Sequence, residues 1–403
     1  MSEQHPWSWK GLRPQTGIRS VLGFDVPWGS VNYLIVMMAG GLVALSILLV
    51  ATMADADLEA GREGIALSSH LKKLVFASPF AIFGFLLRGR WLRNNGSIVW
   101  LLCVFLLFLV PLIGEERNNA KRWIPLPIGS FDLQPSELMK VGLILTLSAI
   151  FYRNRLREMK DWILPAFVAI VPIGLVMAQP DLGTAITIVP ITLGLGWLAG
   201  GRASTILGVV SVGVLVGLFA WQFEWVEGYQ KKRIDVWASC FDNEVLIQQK
   251  SGAAFHTYQA RLAIGNGHWH GRGLGKGVAN EGGHLPERES DSVFAVIGEE
   301  LGFIGTVGFV FYYLLFAGLL LVTAAGIRER FSRLMVAGVG LYFLVHFFVH
   351  AGVNLGLVPM TGLPLPLIST GGSSLLASFT ALGLALGHAA RREASLDRDA
   401  FRA

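Results

Sequence analysis

Residues 31–51 read VNYLIVMMAGGLVALSILLVA, 21 positions without one charged side chain. A helix rises about 1.5 Å per residue, so this run covers about 30 Å, the thickness of a bilayer's hydrocarbon core. In lipid such a helix satisfies its own backbone polar groups. Similar runs follow at 69–87, 98–113, 134–152, 162–178, 182–198, 205–221, 301–326, 334–353 and 375–388. The expected fold is an all-α integral membrane protein with about ten transmembrane helices. Composition agrees, because 53% of the 403 residues are hydrophobic and only 15% are charged, where a soluble chain of this length would divide into more polar domains. The first thirty residues hold no apolar core ahead of a small-residue cleavage site, so the run at 31–51 is expected to be retained.

A net charge of +5 would suit nucleic acid if the basic residues formed one patch, but they collect in short connections. Arg88, Arg90 and Arg93 follow the second run, Arg153, Arg155, Arg157 and Lys160 the fourth, and Arg328, Arg330 and Arg333 the eighth. Lys10, Arg13, Arg19, Arg391 and Arg392 stand at the ends. The positive-inside rule makes all of these cytoplasmic, with both termini, and no nucleic-acid partner is expected. Lys72 and Lys73, at the outer end of the second run, break the rule. The chain then divides into a cytoplasmic segment 1–30, a membrane domain 31–392 and a cytoplasmic tail 393–403. Its longest outer loop, 222–300, far exceeds an ordinary helix connection and is expected to carry function. Residues 258–264 within it read as a short interfacial helix, and 265–277 as a flexible glycine-rich stretch, since no strand precedes it to make a nucleotide site. Cys103 lies in an apolar run and Cys240 in the long loop, so neither a bridge nor a metal spacing is expected.

The chemistry-bearing residues sit on the outer face. Glu137 and Lys140 share one face of the fourth helix within the membrane, where charges usually face a wet cavity, although a structural ion pair fits too. Lys121-Arg122-Trp123 precedes that helix and suits either an anionic headgroup or an ordinary interfacial anchor. Asp291, in Leu285-Pro286-Glu287-Arg288-Glu289-Ser290-Asp291-Ser292, stands where partial desolvation would raise its pKa toward that of a general base; the alternative makes Ser290 a helix N-cap. The connection 354–374 is apolar but broken by Pro359, Pro364 and Pro366, which suits a re-entrant segment. His346 and His350 lie one turn apart without an evident third ligand, so packing is expected of them.

Together these segments resemble the SEDS family of shape, elongation, division and sporulation proteins, nearer to its elongation members (RodA) than to its division members (FtsW). The resemblance rests on Lys121-Arg122-Trp123, Gln134-Pro135-Ser136-Glu137 with Lys140, Gln179-Pro180-Asp181-Leu182-Gly183-Thr184, Leu285-Pro286-Glu287-Arg288, Asp291 with Gly298-Glu299-Glu300-Leu301-Gly302, and Pro364-Leu365-Pro366 through Gly371-Gly372-Ser373-Ser374. The Gln179 to Thr184 motif is what favours elongation. Two positions depart from the family pattern: Glu289-Ser290-Asp291-Ser292 replaces His-Thr-Asp-Phe, and Thr370 replaces the tyrosine of Ser-Tyr-Gly-Gly.

The resemblance implies a peptidoglycan glycosyltransferase of the bacterial cytoplasmic membrane, with its active site facing outward. It would polymerise lipid II with inversion, releasing undecaprenyl pyrophosphate, for cell elongation and shape. Asp291 would be catalytic, and Arg122, Glu137, Lys140, Gln134, Ser136, Asp181, Ser369 and Ser373 would bind substrate. Asp291 is expected to meet Glu137 and Lys140 in one lipid-accessible hollow, with Arg122 and Lys140 neutralising the pyrophosphate. A divalent cation (Mg2+ or Mn2+) is the one cofactor considered, with no organic cofactor. Besides lipid II, the expected partners are a class B penicillin-binding protein and the cell-elongation complex. The competing functions are a lipid II flippase and a division-specific polymerase.

Overall fold

The computed structural model describes residues 22, 28–61, 66–117, 120–125, 131–154, 156, 158–223, 228–239, 241, 254–278, 282 and 285–391. The tail 393–403, most of 1–30, Arg155, Arg157, Cys240 and parts of the long loop lie outside the described residues. In chain order the helices are α1 (Tyr33–Glu59), α2 (Leu67–Leu86), α3 (Gly89–Ile113), α4 (Pro135–Arg153), α5 (Ile163–Ala178), α6 (Leu182–Leu198), α7 (Ala203–Gln222), α8 (Gly228–Ser239), α9 (Phe255–Asn266), α10 (Val293–Ala325), α11 (Arg330–Leu355) and α12 (Gly372–Ala390).

All ten expected runs fall on helices, α1 to α7 and α10 to α12. By length and composition α1, α3, α4, α5, α10, α11 and α12 can cross a membrane, while α6 and α7 are shorter apolar helices. The expected interfacial helix is α9, which packs on α10 and α11. Three helices form the interior. The apolar windows of α4, α11 and α12 are 83%, 72% and 89% buried, whereas α3 is 17% buried and turns Leu101, Leu102, Phe105 and Phe108 outward. That division reverses a soluble core, since lipid is as good a solvent for leucine as another helix is. Small residues let α2 and α12 touch backbone to backbone: a Cβ on Gly383 would collide with the Ala81 carbonyl, and one on Gly387 with that of Phe85.

Two boundaries differ from expectation. Helix α3 begins at Gly89 rather than near Ile98, with a kink at Asn95 (φ −113°, ψ 15°) that the Asn95 side chain stabilises by donating to the Trp91 carbonyl at 2.9 Å. Helix α10 begins at Val293 and breaks at Gly302 (φ 68°, ψ −170°), a conformation essentially reserved for glycine. The glycine-rich stretch is not a flexible loop, because it repairs that break. Arg272 N–H donates to the Glu299 carbonyl, Gly273 N–H to that of Glu300, and Phe303 N–H returns to the carbonyl of His268, at 3.0, 3.0 and 2.8 Å. Gly271, at φ 81°, lies against the Glu300 backbone where no Cβ would fit.

The connection before α4 holds a three-stranded antiparallel sheet, β1 (Glu115–Arg117), β2 (Ala120–Pro125) and β3 (Asp132–Leu133), in that order. Trp123 pairs with Glu115, and Ile124 with Leu133, which fixes Arg122 and Trp123 over the start of α4. At the opposite end of the bundle the arginines brace one another's helices. Arg391 donates to the Phe85 carbonyl at 2.8 Å, Arg330 to those of Asn154 and Ala199 at 3.1 and 2.9 Å, and Arg93 pairs with Glu329 at 3.5 Å.

Candidate active site

The turn that carries Asp291 is anchored at both ends. Arg288 forms a buried ion pair with Asp57 near the end of α1, and the amides of Ser290, Asp291 and Ser292 all donate to the Glu287 carbonyl at 2.9–3.1 Å. The N-cap of α10 is Ser292 rather than Ser290, and its hydroxyl is used elsewhere, donating to the Pro286 carbonyl at 2.9 Å.

A second irregular segment, 356–371, grips this turn from the other side. Thr370 N–H donates to the Glu289 carbonyl at 3.0 Å, and Ser369 Oγ donates to that of Ser290 at 2.6 Å while accepting from Leu365 N–H at 2.8 Å. Asn354 Nδ2 donates to the Asp291 carbonyl at 3.0 Å, and Lys73 Nζ to the Thr370 carbonyl at 3.1 Å. Its backbone polar groups are thus met by protein, which is what irregular chain at membrane depth requires. Gly362, at φ 65°, leaves the space that the Asp291 carboxylate approaches, since a Cβ there would stand 3.2 Å from Oδ2.

Between the two segments opens a cavity of about 360 Å³, bounded by Lys73, Trp123, Asp132, Gln134, Glu289 and Ser373 among others. Asp291 is one residue from its wall, at Ser290. Burial pushes the Asp291 carboxyl up to about 7, with Glu287 and then Glu289 adding to the rise against the opposing pull of a Ser290 hydrogen bond and of Arg122. Burial likewise raises the Glu289 carboxyl and lowers the His256 imidazole to about 4.

Of the expected substrate-binding residues, Gln134 and Ser373 line this cavity. Ser373 Oγ accepts from Gln134 N–H at 2.8 Å and donates to the Asp132 carbonyl at 2.7 Å. Asp181 does not reach it. It caps α6, accepting from Thr184 N–H and Oγ1 at 3.2 and 2.9 Å, and also from Gln134 Nε2 and Ser136 Oγ at 3.1 and 3.4 Å. Arg122 donates to the carbonyls of Gln179 and Pro180 and so orients the α5–α6 turn, while remaining within electrostatic reach of Asp291.

The expected meeting of Asp291 with Glu137 and Lys140 in one hollow is not what the fold builds. Lys140 is fully buried, with its Nζ 2.7 Å from both Glu137 Oε1 and His346 Nε2. His346 Nδ1 contacts the Tyr342 carbonyl at 2.7 Å, which can only accept, so Nε2 carries the lone pair facing the ammonium. Lys140 thus meets α11 at His346 and Asp291 meets it at Asn354, eight residues on, which is about 12 Å along a helix axis.

A family model described as cell cycle protein, FtsW/RodA/SpoVE, matches residues 31–393. The chain belongs to the FtsW/RodA/SpoVE family. It is 32% identical over 397 residues to a protein of Aeromonas salmonicida named probable peptidoglycan glycosyltransferase FtsW, covering 92% of this chain and 94% of that one. A protein of the same name from Burkholderia thailandensis is 34% identical over 327 residues, 79% of this chain and 68% of that one. Among solved structures, the Thermus thermophilus rod shape determining protein RodA superposes with a TM-score of 0.65 at 26% identity, covering 91% of this chain and 98% of that one. A chain from a peptidoglycan synthase complex that coordinates polymerization and crosslinking gives a TM-score of 0.76, also at 26% identity, over 91% and 99%.

Within this FtsW/RodA/SpoVE chain, sequence reasoning missed Lys73, Asp57, Asp132 and Asn354 as parts of the site. Lys73 did leave a signal, as one of two lysines that break the positive-inside pattern at the outer end of a span. Asp57 and Asn354 left none, because each acts through contacts with residues 231 and 63 positions away.

Proposed function

We propose that this chain is a peptidoglycan glycosyltransferase that polymerises lipid II at the outer face of the bacterial cytoplasmic membrane, with Asp291 as its general base. The observation that carries the reading is the Asp291 turn itself, clamped beside a polar cavity with its carboxyl pushed up to about 7. The outward orientation is supported by Arg93, Arg330 and Arg391 gathering at the end of the bundle away from that cavity.

An α-linked pyrophosphate donor that yields a β-linked product reacts with inversion, so one base takes the proton of the acceptor hydroxyl and no covalent enzyme intermediate forms. A base whose pKa lies near 7 both exists as carboxylate at neutral pH and holds the proton once taken. As the glycosidic bond forms and the bond to pyrophosphate breaks, negative charge builds on the leaving oxygen. Lys73 and Arg122 supply positive potential there, in place of the enclosed Lys140. A resident metal does not fit the described residues, since no three His, Cys, Asp or Glu side chains among them converge. A divalent cation would have to arrive with the pyrophosphate; polymerisation with and without chelator tests that.

Elongation is supported by the motif Gln179 to Thr184, whereas division is supported by the curated relatives named FtsW. The likeness to a chain of a peptidoglycan synthase complex supports a class B penicillin-binding protein as partner. The test is lipid II polymerisation by purified protein carrying Asp291→Asn: glycan strands at the wild-type rate would refute the role of Asp291. Liposome translocation of lipid II by a wild type that forms no polymer would move the reading to a flippase.

A further inference from the structure

At the end of the bundle away from Asp291, α3, α4 and α5 enclose a cavity of about 480 Å³. Arg93, Asn94, Arg153 and Asn154 line it, with Trp100 and Phe167 on its apolar side. A purely apolar hollow of about 670 Å³ continues from it at Leu101, running between α3 and α5 past Phe105, Phe108, Ile170 and Gly174. We propose that this groove binds an anionic phospholipid of the cytoplasmic leaflet, its phosphate against Arg153 and Arg93 and one acyl chain along the hollow.

The change of polarity along the groove is that of a phospholipid. From Arg93 to Phe108 the groove follows α3 for fifteen residues, about 22 Å, which contains the roughly 15 Å of one leaflet's hydrocarbon. The cationic end has charge to offer. Arg153 is exposed and pairs with no acidic side chain among the described residues. Arg93 meets Glu329 at 3.5 Å and lies over the Tyr152 ring, 4.6 Å from its centre, which leaves most of its five N–H donors for a phosphate. The floor is open where the chain would lie, because no atom stands within 4 Å of a Cβ built on Gly174. The form of α3 is fixed in the same place, since its kink at Asn95 is held by Thr146 Oγ1 donating to the Gly96 carbonyl at 2.9 Å.

The test is native mass spectrometry of the full chain from micelles holding equal phosphatidylglycerol and phosphatidylcholine. The wild type is expected to retain phosphatidylglycerol preferentially, with Arg153→Gln cutting the preference about fivefold and Arg93→Gln by a similar factor. Gly174→Phe, which fills the hollow but keeps both arginines, is expected to lose the bound lipid. An unchanged melting temperature in lipid-free detergent shows that each variant is folded, and Arg153→Gln alone suffices should Arg93→Gln unfold. Equal retention of the two lipids by the wild type, or an undiminished preference in Arg153→Gln, would overturn the site. Retention of a polyprenyl phosphate in place of phosphatidylglycerol would overturn the phospholipid assignment.

Discussion

At the scale of single residues, the buried Asp291 carboxyl couples stability to pH. Its carboxyl stands near 7 in the folded chain against an ordinary 3.8, so folding favours the protonated form. The stability associated with this site is therefore full below about pH 4 and is lost as pH rises toward 7. Asp291→Asn should melt above the wild type at pH 8, with the gap closing toward pH 4, while its polymerisation rate falls by about 10² to 10⁴. Wild-type rate should rise with pH through an inflection near 7, and a flat profile would contradict a base at this position. Lys140 and Glu137 behave differently, because neither lines the cavity and each is the other's buried counter-charge. Lys140→Met should destabilise the chain by about 3–5 kcal/mol, read as a lowered melting temperature, and adding Glu137→Gln should restore most of it.

At the scale of elements, the decisive feature is the break in α10. Upstream of the break the helix is buried from Val293 to Glu300 and follows the Asp291 turn, while downstream it turns Phe303, Ile304 and Val307 outward. The backbone of 268–273 fills the break, so the long loop is part of the site's foundation. Gly302→Ala would need a glycine-only conformation and would drive a Cβ into Gly271. A drop in melting temperature, with polymerisation lost in proportion to folded protein, is the expected result. Little of this was visible beforehand: the glycines were apparent at 265–277, but their partner carbonyls on Glu299 and Glu300 were not.

At the scale of the whole molecule, the arginine end and the cavity end are opposite, and the orientation can be read directly. With Cys103 and Cys240 replaced, a single cysteine at Glu115 should label in intact cells with a membrane-impermeant maleimide. One at Met159 should label only after lysis. Labelling in the reverse sense would place the cavity on the cytosolic side and exclude polymerisation outside the membrane.

Hydrophobic run length by itself determined that this is an all-α, multi-pass membrane chain, because a stretch long enough to span lipid needs no knowledge of its neighbours. Polar motifs stand out against apolar surroundings, so the sequence likewise drew attention to Asp291 and Arg122, and the family resemblance added Gln134 and Ser373. Only the tertiary structure decided that Lys73 enters the cavity, that Asp181 is a helix cap, and that Glu137 and Lys140 lie about two turns deeper. The physical reason is that hydrogen-bond partners such as Ser369 with Ser290, or Asn354 with Asp291, are chosen by helix packing across many intervening residues, and no local pattern records that choice.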